Sequence, residues 1–255
     1  MDRPYVIMMI GASIDGRITY GPGLTMFHRH PADDARPDGG KAGEAIVAAI
    51  EAAWPPQGDI YGSATLVSES DPLRELPAWE GDPRPLYEDF LPDEVLQATT
   101  DWAVLVDGRG RFRNGYKCTH DGPGRHILHL TSRSAAPEYL AFLRRERIPY
   151  LVDGQEHVDL PAALRKLRGT LGVECLKLMG GGTLNGVMLR AGLIDEILLD
   201  LWPTLIGGRS TPTVADCADL GPEEFPPLLE LLSVTPGENG HLLLHYRVKK
   251  DPSVG

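Results

Sequence analysis

The sequence predicts an α/β fold, with a mixed, mostly parallel sheet flanked by helices and a C-terminal antiparallel hairpin. Three observations support this prediction. Short apolar runs of strand length alternate with segments of helical periodicity along most of the chain. A strand, a glycine turn, a helix and a second strand follow one another between Val173 and Gly208. Two apolar segments flank Pro236-Gly237 near the C-terminus and indicate a hairpin.

The N-terminal part of the chain begins with a strand predicted over Tyr5–Ile14, because this nearly continuous apolar run suits a strand covered on both faces. A long loop rich in Gly, Pro, His and Asp is predicted over Gly21–Gly40. An Ala-rich helix over Glu44–Trp54 is stopped by the two prolines that follow it. A short strand over Asp59–Gly62 then precedes a helix predicted to start at Ala64.

The middle of the chain opens with a proline-rich surface excursion over Ser70–Pro92. The following elements are, in order, a helix over Asp93–Thr99, strands over Trp102–Val106 and Ile127–Leu130, a helix over Pro137–Arg145, a strand over Tyr150–Val152 and a helix over Leu160–Leu171. The strands are short apolar runs between turn residues. The last helix carries its leucines and Ala163 on one apolar stripe, as an amphipathic helix does.

The glycine loop is the most informative segment. A strand over Cys175–Met179 stops at Gly180, Gly181 and Gly182, and the hydroxyl of Thr183 suits a helix cap. Helical spacing continues to Gly192, and the next strand covers Ile197–Trp202. Glycines let backbone N–H groups approach a phosphate, and a helix start favours negative charge. The unit therefore predicts a site for a phosphate-bearing cofactor.

A tight strand-to-helix turn without any ligand is the alternative for this loop, since one glycine-rich turn is a weak signal. The spacing also departs from a dinucleotide fingerprint, because Gly186 falls one residue too late for G-x-G-x-x-G. Asp200, at the end of the next strand, lies at a plausible distance for a ribose contact. Both interpretations stay open at this point.

The C-terminal strands are predicted over Leu228–Val234 and His241–Val248, before a polar tail over Lys249–Gly255. The alternation of strands and helices predicts one domain over residues 1–255. No internal repeat or low-complexity segment is present in the sequence.

Composition limits the possible functions. A net charge of −11 argues against a broad nucleic-acid or anionic membrane surface, and no apolar segment approaches the length of a membrane span. The three cysteines are scattered, so we expect a reduced, cytoplasmic protein. Cys118, His120, His126 and His129 match no standard metal spacing; we expect no metal site, and His126 and His129 are interpreted as strand-end residues.

Four segments resemble a known family. They are PYVIMMIGASIDGRI from Pro4, GSATLVSESDP from Gly62, VLVDGRGR from Val104, and LMGGGTLNGVMLRAGLIDEILLDLWPTLIGG from Leu178. Together they resemble the reductase (C-terminal) domain of the bifunctional riboflavin-biosynthesis deaminase/reductase, which has a dihydrofolate-reductase-like fold. The resemblance spans residues 3–248, and the last segment is the most specific. The zinc signature of the partner deaminase domain, H-x-E with P-C-x-x-C, is absent from this sequence.

The resemblance implies NADPH-dependent hydride transfer to a pyrimidine- or pteridine-like heterocycle by a homodimer. The residues that it places on the cofactor are Thr65, Glu69, Gly108, Arg109, Gly181, Gly182, Thr183, Leu184, Asn185, Gly186 and Val187. Arg109 and Arg111 suit the 2′-phosphate, because Arg binds phosphate with paired N–H groups; a solvated turn is the alternative for both. Asp15, at the end of the first strand, is the candidate proton donor, although an Asp-Gly turn also explains it.

The substrate side departs from the family pattern. Met9 and Met179 stand where the family has a lysine and a glutamate, and the Glu51–Trp54 segment stands near the position of a phosphate-binding arginine. Arg74 offers one remaining phosphate contact. Because methionine cannot hold a charged group, we expect a substrate other than the phosphoribosylamino-pyrimidine of the riboflavin pathway, such as a pterin.

Three functions therefore stay open: the riboflavin-pathway reductase with unusual substrate contacts, a dihydrofolate- or pterin-reductase-like enzyme, and a nucleotide-binding module without turnover. The alternating apolar face of Leu242, Leu244 and Tyr246 suits a dimer contact, unless this face covers the protein's own helices.

Overall fold

The computed structural model describes residues 2–25, 30–32, 40–117 and 124–249. The strands are β1 (Tyr5–Ser13), β2 (Gly58–Gly62), β3 (Asp101–Val106), β4 (Arg125–Thr131), β5 (Tyr150–Val152), β6 (Cys175–Leu178), β7 (Glu196–Trp202), β8 (Leu229–Pro236) and β9 (Leu242–Val248). The α-helices are α1 (Gly40–Ala53), α2 (Asp93–Ala98), α3 (Pro137–Arg145), α4 (Leu160–Leu171) and α5 (Gly182–Arg190). None of the helices in these ranges is both long and apolar enough to cross a membrane.

Contacts between residues group the chain into two compact units. Unit one comprises Met1–Pro4 and Gln57–Glu174, and unit two comprises Tyr5–Pro56 and Cys175–Gly255. The single domain predicted over residues 1–255 stays a prediction.

Unit one contains four parallel strands in the order β2-β3-β4-β5. Their apolar residues pack with the buried face of α3, which contributes Tyr139, Leu140, Phe142 and Leu143 to one core cluster. Burying a side chain of this size stabilises a fold by about 1.5–3 kcal/mol. Apart from the helix predicted from Ala64, the predicted strands and helices of this region are confirmed to within a few residues.

Helix α4 shows how local sequence sets an element's ends. The Asp159 carboxylate caps the helix by accepting a hydrogen bond from the Ala162 N–H at 2.9 Å. Gly172 ends it with φ +67°, a left-handed conformation that favours glycine. The predicted apolar stripe is buried at Leu160, Ala163, Leu164 and Leu167.

Unit two is built around β1, which pairs in parallel with β6 on one side and β7 on the other. Strand β9 runs antiparallel to β7, and β8 runs antiparallel to β9 with a register shift between Leu231 and Ser233. Ile50 of α1 packs with Ile7, Leu198 and Leu243 on one face of these strands. The predicted class, a mostly parallel sheet with helices and a C-terminal antiparallel hairpin, is confirmed.

Two local predictions need correction or fall partly outside the described residues. The helix predicted from Ala64 is wrong: only a 3-10 turn forms over Ser63–Thr65. The Asp71 carboxylate accepts a hydrogen bond from the Ser68 N–H at 3.0 Å. This local turn competes with a continued helix after Thr65. The loop predicted over Gly21–Gly40 lies partly outside the described residues, at 26–29 and 33–39.

The Cys/His group separates in the structure. Cys118 and His120 lie outside the described residues. His126 is the second residue of β4, near the strand end, as predicted; the same interpretation is wrong for His129, which lies inside this seven-residue strand. His129 is fully buried, and its Nδ1 lies 2.8 Å from the Tyr139 hydroxyl.

Burial makes His129 a source of acid sensitivity. Desolvation lowers the pKa of His129 to about 4. Because its pKa is higher in the unfolded chain, protonation favours unfolding. The contribution of neutral His129 to the free energy of unfolding is complete above the unfolded pKa of about 6.5 and is lost as the pH falls toward 4.

We expect the free energy of unfolding, measured by denaturant titration at pH 7 and pH 5, to fall less in His129→Gln than in the parent. The limiting difference is about 1.4 kcal/mol per pH unit. Equal losses in the two proteins would exclude His129 as the cause.

Candidate functional site

The glycine loop joins β6 to α5 in unit two. Strand β6 ends at Leu178, and Gly180 has φ +99°, which favours glycine. Helix α5 begins at Gly182, with Gly181 as its N-cap residue and no hydrogen bond from a capping side chain. The predicted cap, Thr183, is wrong. It lies inside the helix, because the N-cap of α5 is Gly181, two residues before Thr183. Glycine backbone therefore lines this helix start.

Two glycines of this unit serve packing within the chain. A Cβ on Gly182 would lie 2.1 Å from Oδ2 of Asp216 and 2.5 Å from the Thr213 carbonyl oxygen. A Cβ on Gly186 would lie 2.5 Å from the Asp216 carbonyl oxygen. The Asp216 N–H also donates to the Gly182 carbonyl at 2.8 Å. Close approach of the 213–217 segment thus explains both glycines without a ligand.

The other predicted residues of α5 divide into buried and exposed side chains. Leu184 and Asn185 are buried, and the Asn185 amide donates to the Val214 carbonyl at 2.8 Å. Val187 is 47% exposed. Leu184 and Asn185 therefore hold the loop in place from inside, whereas Val187 presents its side chain to solvent.

Asp15 holds the loop that follows β7. Its carboxylate accepts hydrogen bonds from the Ser13 hydroxyl at 2.6 Å, the Ile206 N–H at 3.0 Å and the Gly207 N–H at 2.7 Å. These hydrogen bonds lower the pKa of Asp15 to about 2, and the bond from Ser13 has the largest effect. A carboxylate that stays ionised and engaged is a poor proton donor at neutral pH. The geometry therefore favours a structural role for Asp15 over proton donation.

The predicted substrate residues occupy different environments. Met9 is half-buried and packs against the core cluster formed with Ile7. Met179, next to the glycine loop, is 43% exposed. Glu51 accepts a hydrogen bond from the Lys177 ammonium at 3.0 Å, so this acidic residue already has a cationic partner. Of these three residues, Met179 is the most exposed.

Asp200 does not offer a free carboxylate for a ribose. Its Oδ1 lies 2.7 Å from Nδ1 of His241, a buried residue that directly precedes β9. The pair ties β7 to the start of β9, the second strand of the hairpin. The ribose contact considered for Asp200 therefore has no support from this geometry.

In unit one, predicted cofactor residues meet at the carboxyl ends of β2 and β3. Arg109 forms an exposed ion pair with Glu69 at 3.0 Å. Arg111 donates to the Ser68 carbonyl at 2.8 Å. Thr65 lies in the 3-10 turn that follows β2. Because ligands of open α/β sheets bind at the carboxyl ends of the strands, this edge is a reasonable cofactor region.

Arg74 contacts another part of unit one. Its guanidinium lies over the Phe142 ring, 5.6 Å from the ring centroid, and donates to the Arg113 carbonyl at 3.4 Å. The predicted phosphate contact by Arg74 stays a prediction.

Asp107 is a functional candidate that the sequence did not reveal, because Asp-Gly indicates only a turn. Its buried carboxylate accepts from the Arg111 N–H at 3.0 Å, the Phe112 N–H at 2.8 Å and the Tyr139 hydroxyl at 3.0 Å. It thereby fixes the turn that carries Gly108 and Arg109.

Residues 132–134, directly after β4, are a second group of candidate residues that the sequence did not reveal. The Ser132 hydroxyl donates to the Gly108 carbonyl at 3.1 Å, and the Ser134 hydroxyl donates to the Glu156 carbonyl at 2.8 Å. Arg133, between these two serines, is exposed. The segment therefore places two hydroxyls and an exposed cation beside the Gly108 turn.

Comparison with known proteins decides the family. Residues 4–243 match the model of the RibD C-terminal domain, which is most of the chain. The chain belongs to the RibD C-terminal domain family. The resemblance on which the sequence prediction rests is confirmed.

Two relatives support this membership, and one solved structure has a similar fold. The 2,5-diamino-6-ribosylamino-4(3H)-pyrimidinone 5′-phosphate reductase of Methanothermobacter thermautotrophicus is 41% identical over 147 residues, which cover 57% of this chain and 65% of the relative. The reductase of the same name from Archaeoglobus fulgidus is 30% identical over 216 residues, covering 84% and 87%. A pyrimidine reductase-like protein of Corynebacterium diphtheriae matches the fold with a TM-score of 0.64 at 16% identity, covering 97% of this chain and 93% of that one.

The functional class follows from the RibD C-terminal domain family and its named relatives. The prediction of an oxidoreductase related to the riboflavin-biosynthesis reductase is confirmed. A reductase of this kind uses a nicotinamide cofactor. The individual cofactor and substrate residues given above stay predictions.

The packing at Gly182 generates a stability prediction. We expect Gly182→Ala to lower the free energy of unfolding by about 1–3 kcal/mol, because the added methyl would overlap Asp216 and Thr213. Gly169→Ala is the matched control: Gly169 lies inside α4 with nothing within 4 Å of the new Cβ. It should raise stability by about 0.5–1 kcal/mol. Denaturant titration measures both changes. A Gly182→Ala protein as stable as the parent would contradict the close approach of the 213–217 segment.

Proposed function

We propose that this chain is an NADPH-dependent reductase of a pyrimidine heterocycle. The observation that carries the proposal is the glycine loop at the carboxyl end of β6, in a chain of the RibD C-terminal domain family. The two relatives described above, both named as pyrimidinone 5′-phosphate reductases, support the pyrimidine class.

Two features of the loop suit the phosphates of a dinucleotide. Gly180 turns the chain in a conformation that favours glycine, and the start of α5 has a glycine N-cap instead of a capping side chain. Backbone N–H groups and the helix dipole at such a start favour an anion. We assign Gly181, Gly182 and the first turn of α5 to the pyrophosphate. When bound, NADPH supplies the hydride, and the chain's residues bind and orient the reactants.

The residues of unit one suit the adenosine side of NADPH. Arg109 is exposed and held by Glu69, and Arg111 is held by Ser68. A guanidinium binds phosphate with two parallel N–H groups, so either arginine can take the 2′-phosphate. Arg133, flanked by two serines, is a further candidate for the same group. Thr65 and Gly108 are assigned to the cofactor as the family resemblance implies.

The identity of the pyrimidine depends on the residues near the loop. Met179 is accessible but offers a thioether instead of a carboxylate, and Glu51 is already paired with Lys177. These features support the expectation that a phosphoribosylamino-pyrimidine is not the substrate, whereas the relatives, both named as reductases of such a compound, favour it. A direct comparison of substrates decides between them.

The deciding experiment is single-turnover oxidation of bound NADPH, followed by absorbance. The panel contains a ribosylaminopyrimidinone 5′-phosphate, its dephosphorylated nucleoside and a dihydropterin. We expect oxidation with at least one pyrimidine and none with the pterin. Oxidation by the pterin alone would show a pterin reductase. Tight NADPH binding without oxidation by any compound would favour a nucleotide-binding module.

Gly181→Val connects this experiment to the loop. The branched side chain would stand where the phosphate must approach, so we expect NADPH affinity to fall at least tenfold, or about 1.4 kcal/mol, in a folded variant. Fluorescence titration with NADPH and a circular dichroism spectrum check affinity and folding. Unchanged affinity in the folded variant would remove the loop from the cofactor site.

We expect a preference for NADPH over NADH. Replacing both Arg109 and Arg111 by alanine should weaken NADPH binding by at least tenfold and change NADH binding little, because only NADPH carries the 2′-phosphate. The NADPH affinity of Arg133→Ala, measured in the same way, shows whether Arg133 also binds the 2′-phosphate. Equal affinities of the parent for the two cofactors would contradict the assignment.

The antiparallel hairpin supports a homodimer. Leu229, Leu231, Val234 and Leu242, which we call the hairpin patch, lie on one face of β8 and β9 and are 41–52% exposed. The opposite face carries Leu243, which is buried against Ile50 of α1. The hairpin patch is therefore not the face that α1 covers. Exposed apolar surface of this kind favours contact with another molecule.

We expect light scattering of the parent to give twice the chain mass of 27.8 kDa at micromolar concentrations. The double substitution Leu231→Glu with Val234→Glu should shift the protein to the monomer, because it places charge in the apolar contact. Leu73→Glu, an exposed position in unit one, is the matched control and should remain dimeric. A parent mass of 27.8 kDa throughout would exclude the homodimer.

A further inference from the structure

The turn after β3 is shaped by one buried carboxylate. Asp107 is 1% exposed, and its side chain accepts the N–H groups of Arg111 and Phe112. Its own N–H donates to the Leu130 carbonyl at 2.9 Å, and its carbonyl accepts from the Gly110 N–H at 3.3 Å. A buried carboxylate is costly unless hydrogen bonds satisfy it, so the turn must keep the conformation that supplies these donors.

Tyr139 of α3 supports this turn from the core in two ways. Its hydroxyl donates to Oδ2 of Asp107 at 3.0 Å. Its ring lies against Gly110, where an added Cβ would be 2.6 Å from the ring and the backbone has φ +67°. Both the donor set of Asp107 and the path of the turn therefore depend on this side chain.

His129 completes a directed chain of donors. Its Nδ1 lies 2.8 Å from the Tyr139 oxygen, and His129 is buried. Because an ionised carboxylate only accepts, Tyr139 donates to Asp107, and Nδ1–H of His129 then donates to the Tyr139 oxygen. The chain His129–Tyr139–Asp107 orients the Tyr139 proton toward the turn.

We propose that the Tyr139 hydroxyl and the Asp107 carboxylate are positioning residues for the cofactor, acting through the turn that presents Gly108 and Arg109. This inference rests on the proposed function, because that function assigns Gly108 and Arg109 to NADPH. Loss of the hydroxyl leaves Asp107 one donor short and lets the turn depart from its bound geometry. Preorganised contacts lose affinity when their support is loosened.

The experiment compares Tyr139→Phe with Tyr150→Phe. Tyr150 is also fully buried in the core of unit one, but its hydroxyl donates to the Leu86 carbonyl at 2.6 Å and accepts from Arg144 at 2.7 Å. Each variant removes one buried hydroxyl and keeps the ring. The NADPH dissociation constant is measured by fluorescence titration, the thermal midpoint by circular dichroism, and kcat at saturating NADPH with the best compound of the substrate panel.

We expect both variants to lose stability, and only Tyr139→Phe to raise the dissociation constant for NADPH, by at least fivefold, with kcat within twofold of the parent. Equal dissociation constants in Tyr139→Phe and the parent would overturn the proposal. Asp107→Asn replaces Tyr139→Phe if the latter does not fold, with the same expectation and the same overturning result. A parent that binds no NADPH would overturn the proposed function itself, which separates the two failures.

Discussion

Backbone N–H groups left over at the carboxyl ends of parallel strands must find acceptors, and in this protein aspartate side chains supply them. Asp107 serves the turn after β3, and Asp15 serves the loop after β7. Asp216 accepts from the Thr213 N–H and hydroxyl beside the start of α5. Without such acceptors these loops would leave polar backbone unsatisfied or shift to reach water. Of the candidate cofactor residues, Gly108 and Arg109 lie in a turn held in this way.

Glycine has two distinct uses in the same short unit. Gly182 and Gly186 allow another segment of the chain to approach α5 closely, which is a packing role. Gly180 provides the left-handed turn, and Gly181 stands at the helix start. A glycine-rich loop therefore does not by itself identify a ligand site, because some of its glycines are required for packing within the chain. Here the assignment to a phosphate is supported by the turn at Gly180 and by the backbone N–H groups at the start of α5, and not by the missing side chains of Gly182 and Gly186.

The order and type of most elements could be predicted because apolar periodicity and local signals agree. Helix α4 is the clearest case, with Asp159 at its start, Gly172 at its end and a buried stripe between them. The helix expected from Ala64 failed because a competing Ser68–Asp71 turn lies just beyond it. The role of Asp107 could not be predicted from the sequence, because its partner Tyr139 lies 32 residues away in sequence. The position of Asp216 against Gly182 was hidden for the same reason. Sequence patterns show local preferences, whereas these contacts exist only after folding.

The register shift between Leu231 and Ser233 in β8 has a consequence for how far association can proceed. Strand β8 is bonded to β9 on one side, and an irregular register of this kind twists a strand and interrupts its row of evenly spaced N–H and C=O groups. Such a strand is a poor template for a new strand along its free edge. The register shift in β8 therefore works against edge-to-edge pairing of this strand with a strand of another molecule.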